Sequence, residues 1–258
     1  MDNLPIWAFL VATLLAVVGA IEAGYRLGQI AHRHTEEEKV PPVSSIAGAI
    51  LGLLAFMLAF TFGIVSSRYD ARKALVLDEA NAIRTAWLRT DFLPAADRVA
   101  AAGLLREYTE LRLRAVQSHD PAQLPKALIE SERMQRQLWS MAVASVRNNP
   151  TMTGLSAYTD SLTELMRLHE SRVAVALHAR IPSGIWLVLF ALIGLAMLAV
   201  GFHTAIAGSR RSWTSPLLAL SFSIVIALIA SLDRPLSDFV TVSQQPLESL
   251  RAAMDGGG

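Results

Sequence analysis

The sequence has no cysteine. Disulfides and thiolate chemistry are therefore excluded, while the cellular compartment stays open. Charge is scarce as well: 17% of the 258 residues are Asp, Glu, Lys or Arg, against about 25% in an ordinary soluble domain. The formal net charge is only +1, so nothing in the charge balance points to nucleic acid. No stretch alternates apolar and polar residues as a strand does. Without strands there is no strand-to-helix Gly-rich phosphate loop. The six histidines are scattered, and no serine grouping has a base placed beside it. We expect no enzymatic activity and no cofactor. His32-Arg33-His34-Thr35-Glu36-Glu37-Glu38 sets two histidines two apart in a loop with no second ligand cluster, which reads as a solvated loop and not a metal site.

The missing charge is concentrated. Mean hydropathy is +0.40, and four windows account for it: Pro5–Tyr25, Val43–Ser66, Pro182–Ile206 and Thr214–Leu232. Each is about as long as a bilayer-crossing helix, roughly 20 residues. Glu22 is the one formal charge inside them. Four such windows in one chain predict four membrane spans. Met1-Asp2-Asn3 offers no basic n-region and the first apolar run exceeds a signal-peptide h-region, so this window reads as a retained helix.

Between the second and third windows lie residues 67–181, which hold most of the charges. Proline and Asx punctuation at Leu93-Pro94, at Ser118–Pro121 and at Asn148–Thr151 divides this region into helices expected at 67–92, 95–117, 122–147 and 155–181. On the last, Leu155, Leu162, Leu165, His169, Val173 and Leu177 share a face. The organisation predicted is 1–66, two membrane helices; 67–181, a helical extramembrane domain; 182–232, two more membrane helices; and 233–258, a tail packing on the domain. In that tail Phe239–Val242 is a short extended candidate, and Pro246 with Leu247, Leu250 and Met254 marks an amphipathic helix.

The stretch FTFGIVSSRYDARKALVLDEANAI leaves the second window and becomes charged without a proline, so one helix is expected to run out of the membrane. Phe56, Phe60, Gly63, Ser67, Ala71, Ala74, Asp78, Asn81 and Thr85 follow one another in steps of three and four, which holds them on one face. A second stripe, Tyr69, Val76, Ala80, Ile83 and Trp87, suits packing into a domain core. The first stripe has two readings. Its small residues suit close helix packing. Alternatively, several copies surround an axis, with Phe56 and Phe60 as an apolar constriction and Ser67, Asp78 and Asn81 as a polar vestibule. Glu22 and Arg26, four apart, read as a pair at the membrane edge, either structural or part of an ion or proton path.

The segment LLAFMLAFTFGIVSSRYDARKALVLDEANAI resembles the corresponding region of bestrophins, where an apolar second helix precedes a Ser/Tyr/Arg-rich start of a cytosolic helix. SRYDAR, EANAI and the tail LDRP…VSQQPL are more similar still to bacterial bestrophin-like membrane proteins of unassigned function. The resemblance covers nearly the whole chain. It departs from bestrophins in lacking an aromatic pair after the tyrosine and an acidic cluster in the tail. Bestrophins are pentameric ion channels lined by their second helix. The resemblance therefore implies a pore constriction at Phe56, Phe60, Gly63 and Ile64.

These readings converge on an all-α membrane protein of four transmembrane helices, with a helical domain between the second and third, in a bacterial inner membrane. The expected partners are the lipid bilayer, inorganic ions and further copies of the chain in a tetramer or pentamer. The leading function is a passive ion channel. The alternative is a non-conducting scaffold or stress-response protein whose domain binds a partner protein. Both termini and the domain share one side. The basic loops holding Arg26, Arg33, Lys39, Arg210 and Arg211 favour the opposite side as cytoplasmic. Arg68, Arg72, Lys73, Arg172 and Arg180 at the domain's membrane ends, together with the resemblance, favour a cytosolic domain.

Overall fold

The structure is a computed structural model, and it describes residues 5–34, 40–118, 123–148, 153–178, 180–208, 214–234 and 240–256. All regular elements among them are helical: α1 Ile6–His34, α2 Val40–Arg89, α3 Ala95–Gln117, α4 Leu124–Asn148, α5 Leu155–His178, α6 Ser183–Ile206, α7 Thr214–Asp233 and α8 Gln245–Gly256, with a 3-10 turn at Thr90–Phe92. Four helices are long and apolar enough to cross a membrane. The chain divides into two compact units, one of residues 1–68 and 180–240, the other of 69–179 and 241–258. Phe239 and the loop at 35–39 lie outside the described residues, as do the side chains of His32, Arg33 and His34.

The second helix is unbroken over 50 residues. Pro41 and Pro42 fall in its first turn, where a missing N–H costs nothing. It ends at Arg89, earlier than the expected 92, because Pro94 drives Leu93 into extended backbone (φ −88°, ψ 155°) and the last turn tightens to 3-10. The fifth helix stops at His178, short of the expected 181. The Ile181 N–H instead donates to Asp233 Oδ1 at 2.9 Å.

In the first unit α1 packs along α6 and α7. Lipid tails are as apolar as leucine, so burial alone does not drive helices together there. Close backbone approach through small residues does. Gly24 and Gly28 of α1 lie against the Leu198 and Phe202 carbonyls of α6, and Gly201 of α6 lies against the Ile21 carbonyl of α1. A side chain at any of the three would enter the neighbouring backbone. Toward the other end of α1, Phe9 meets Trp186 edge-on at 6.3 Å, and Trp186 stacks on Phe190 at 5.6 Å. The Arg234 guanidinium sits 5.8 Å over the Phe9 ring.

In the second unit the core joins Val76 and Ile83 of α2, Leu105 and Leu113 of α3, Met134 and Leu138 of α4, and Leu162 and Leu165 of α5. Leu247, Leu250 and Met254 of α8 complete it. The end of α8 is held by Arg106, which bonds the Met254 carbonyl and lies 3.3 Å from Asp255 Oδ1. Residues 241–244 have no regular structure; the Tyr69 hydroxyl donates to the Thr241 carbonyl at 3.3 Å.

The glycine contacts of α1 give a stability test. Gly24→Val is expected to cost at least about 1–3 kcal/mol, the usual range for overpacking, because the obstacle is backbone. Gly19→Val on the same helix meets nothing within 4 Å and should leave the melting temperature of the detergent-purified protein nearly unchanged. Equal melting temperatures for the two variants would contradict this contact.

Candidate functional site

The two faces of α2 differ along its length. Ala47, Leu54, Leu58, Thr61 and Val65 are buried, as are Val76, Glu79, Ile83 and Ala86 further on. On the opposite face Phe56 is 63% exposed and Phe60 56%. Gly63, Ser67, Ala71, Ala74, Asp78, Asn81 and Thr85 are exposed too, and Ile64 is half-buried. Among the described residues the stripe from Phe56 to Thr85 is therefore exposed on α2. Gly48, Gly52 and Gly63 have nothing within 4 Å of where a Cβ would stand. The close approach that small residues permit is thus realised on α1 and α6 within the chain, and the small residues of α2 are left open.

Within the first unit, Ala59, Phe60, Gly63, Ile64, Ser67 and Arg68 line a shallow open groove. Within the second, Asp78, Asn81 and Thr85 face Asp160, Glu164 and Arg167 of α5 across an open groove of about 570 Å³. Arg167 forks onto Glu164 at 2.8 and 2.5 Å, and this hydrogen bond holds the Glu164 carboxyl below its ordinary range. The Arg89 guanidinium donates to the Ala157 carbonyl at 2.6 Å. Asp78 and Asp160 make no ion pair among the described residues, and the three acids lining the groove outnumber its two guanidiniums, Arg89 and Arg167. At the other end of the first unit Glu22 accepts from Arg26 Nε at 2.8 Å.

A second constellation was not anticipated from the sequence. Glu79 is fully buried, next to the exposed Asp78. Arg172 bonds its Oε2, and Arg112 Nε lies 3.1 Å from its Oε1 as an ion contact without hydrogen-bond alignment. The Tyr108 hydroxyl donates to Oε1 at 2.9 Å. Gln135 donates to the same hydroxyl oxygen at 3.2 Å, and His169 Nδ1 stands 3.2 Å from it. Tyr108 has one proton to give, and Glu79 takes it. His169 is therefore a donor through Nδ1–H, which assigns its tautomer.

Burial, and then the Arg112 charge, lower the His169 pKa to about 4. Burial lowers that of Arg172 to about 10 and raises that of the Tyr108 phenol. One carboxylate thus joins two guanidiniums, a phenol and a neutral imidazole from α2, α3 and α5, with Gln135 from α4. The available signal was a carboxylate on the apolar face of α2, in step with Val76 and Ile83, matched by His169 on the apolar face of α5. Among the described residues no three His, Asp or Glu side chains are grouped to hold a metal ion.

Four long apolar helices, with a helical bundle inserted between the second and third, define a polytopic all-α membrane protein. A family model, the bestrophin-like domain, matches residues 10–247, and the chain belongs to that family. Its fold matches solved structures of a bacterial bestrophin homologue from Klebsiella pneumoniae. For one point variant the TM-score is 0.64 at 18% identity, covering 97% of this chain and 94% of that one. A second structure of the homologue gives 0.62 at 17% identity, over 96% and 94%. At these identities the likeness is one of fold. No curated protein matches the chain.

The buried imidazole predicts a pH dependence. The folded state keeps His169 neutral down to about pH 4, whereas the unfolded chain takes the proton near pH 6.5. Protons therefore favour the unfolded state between those values. Stability is full above about pH 6.5 and falls toward pH 4, by at most about 1.4 kcal/mol per pH unit for one proton. The margin of the parent over His169→Gln in melting temperature should shrink from pH 7 to pH 4.5. A margin constant across that window would contradict the assignment.

Proposed function

We propose that the chain assembles as a cyclic homo-oligomer of four or five subunits around α2 and conducts ions passively. The observation that supports it is the uncovered face of α2. Phe56, Phe60, Gly63, Ser67, Asp78 and Asn81 are exposed in the single chain, while the opposite face of the helix is buried. Around an axis the phenylalanines form a dewetted constriction, with Gly63 and Ile64 beside them. Ser67, Asp78 and Asn81 form the vestibule, and Asp78 with Asp160 concentrates cations there. The bestrophin-like family and fold favour this reading over an enzyme. They also favour a bacterial inner-membrane location with the helical unit in the cytosol.

A second reading has its own observation. The helical unit leaves the apolar side chains of Val99 73% and Ile129 65% exposed. A scaffold whose domain binds a partner protein would use such residues. Ion flux separates the two readings.

In liposomes Phe60→Ala should raise the leak of small ions above that of the parent, by about tenfold if the constriction limits flow. Asp78→Asn should lower cation preference, most visibly at low salt where screening is weak. If folded, oligomeric parent and Phe60→Ala are equally silent, the channel reading fails and the scaffold reading stands.

Assembly is tested separately. The native chain has no cysteine, so Ser67→Cys is a reporter without background. Mass measurement in nanodiscs should give four or five subunits, and Ser67→Cys should crosslink between them. A monomeric mass, or crosslinking from exposed positions of α1 while Ser67→Cys stays silent, would remove α2 from the axis.

A further inference from the structure

Between Lys39 and Arg68 the sequence carries no charge. Arg68 is thus the first charge that follows the apolar part of α2. It lines the same shallow groove as Phe60, Gly63 and Ser67. If copies of that face surround an axis, Arg68 stands at the pore wall. A ring of guanidiniums there would favour anions, as basic rings do in anion pores. Asp78 further along the helix favours cations. The two act against each other unless the charge of Arg68 is offset.

Asp233, at the end of α7, supplies the offset. Its Oδ1 lies 3.6 Å from Arg68 Nη1. That nitrogen is buried and makes no hydrogen bond, so the contact is one of charge and not of a directed bond. The Asp233 side chain is 11% exposed and that of Arg68 28%. Salt screens so sheltered a pair less than an open surface pair. Among the described residues Arg68 and Asp233 are each other's ion-pair partners. The same Oδ1 accepts the Ile181 N–H at 2.9 Å, which anchors the carboxylate to the backbone entering α6. The carboxylate is therefore the fixed half of the pair, and the long side chain of Arg68 is the half that adjusts to it.

We propose that Asp233 sets the ion preference of the pore by neutralising Arg68 at its wall. This rests on the channel reading and adds to it a residue outside α2. Asp233 acts through Arg68 as a positioning residue and does not touch the ion.

The test measures the reversal potential of the purified full chain in planar bilayers under a KCl gradient. Where the parent's current is too small, the same substitutions are read in Phe60→Ala. Asp233→Asn keeps an oxygen for the Ile181 N–H and loses the charge. Its cation-over-anion permeability ratio should fall about tenfold, the low end of the ion enrichment that a charged cleft produces. The fall should be larger at low salt than at high. Arg68→Gln leaves the acid without its cation and should move the ratio the other way; it carries the test if Asp233→Asn does not fold. The double variant Arg68→Gln with Asp233→Asn should return toward the parent's ratio. A contact that only holds the fold would lower the total current or the assembled mass and leave the ratio where it was. An unchanged ratio in either folded single variant, or a shift that persists in the double variant, would overturn the proposal and leave the channel reading standing. Parent and Phe60→Ala that both fail to conduct would overturn the channel reading, and this proposal with it.

Discussion

Everything in the membrane part of this protein follows from the absence of water in hydrocarbon. With no solvent to pair with, each backbone N–H and C=O must be satisfied inside its own segment, which leaves the helix as the element for a chain of this composition. The same absence removes the hydrophobic force that holds helices together in water. What replaces it is contact at backbone distance. Gly24, Gly28 and Gly201 supply that contact between α1 and α6. Gly48, Gly52 and Gly63 of α2 are equally small, and a Cβ at any of them would meet nothing within 4 Å among the described residues. Small residues thus have two uses in one chain, one spent on the fold and one left for a surface.

The helical unit obeys the opposite rule. Water drives burial there, and its core is an ordinary apolar one. Into it the protein places Glu79 with two guanidiniums. Such a cluster is seldom a net source of stability, since desolvation of each ion offsets the attraction. What it does join is three helices: one carboxylate of α2 meets Arg112 and Tyr108 of α3 and Arg172 of α5. Breaking it by removing Glu79 would leave buried guanidiniums facing each other, which costs far more than the intact cluster returns.

Two of the quoted motifs turn out to meet. Arg68 of SRYDAR lies 3.6 Å from Asp233 of LDRP, and the same carboxylate oxygen accepts the Ile181 N–H. One aspartate thus ties the end of the apolar part of α2, the entry to α6 and the end of α7. It works where three polar groups arrive together at the edge of an apolar unit, and where water would otherwise have to enter to satisfy them.

Helical class, the number of spans and the run of α2 through its charged half were legible in the sequence because they depend on neighbours along the chain. Hydropathy over a window and spacing along one helix are local quantities. So is the stripe from Phe56 to Thr85, whose shared face follows from helical geometry alone. The tertiary structure decided which helices approach at backbone distance, which of two adjacent acids is buried, and what Asp233 holds. Asp78 and Glu79 are consecutive and chemically alike, yet one faces solvent and the other sits between Arg112 and Arg172. A helix turns about 100° per residue, so the choice between them rests on the direction from which α3 and α5 pack against α2, a quantity that no local pattern carries.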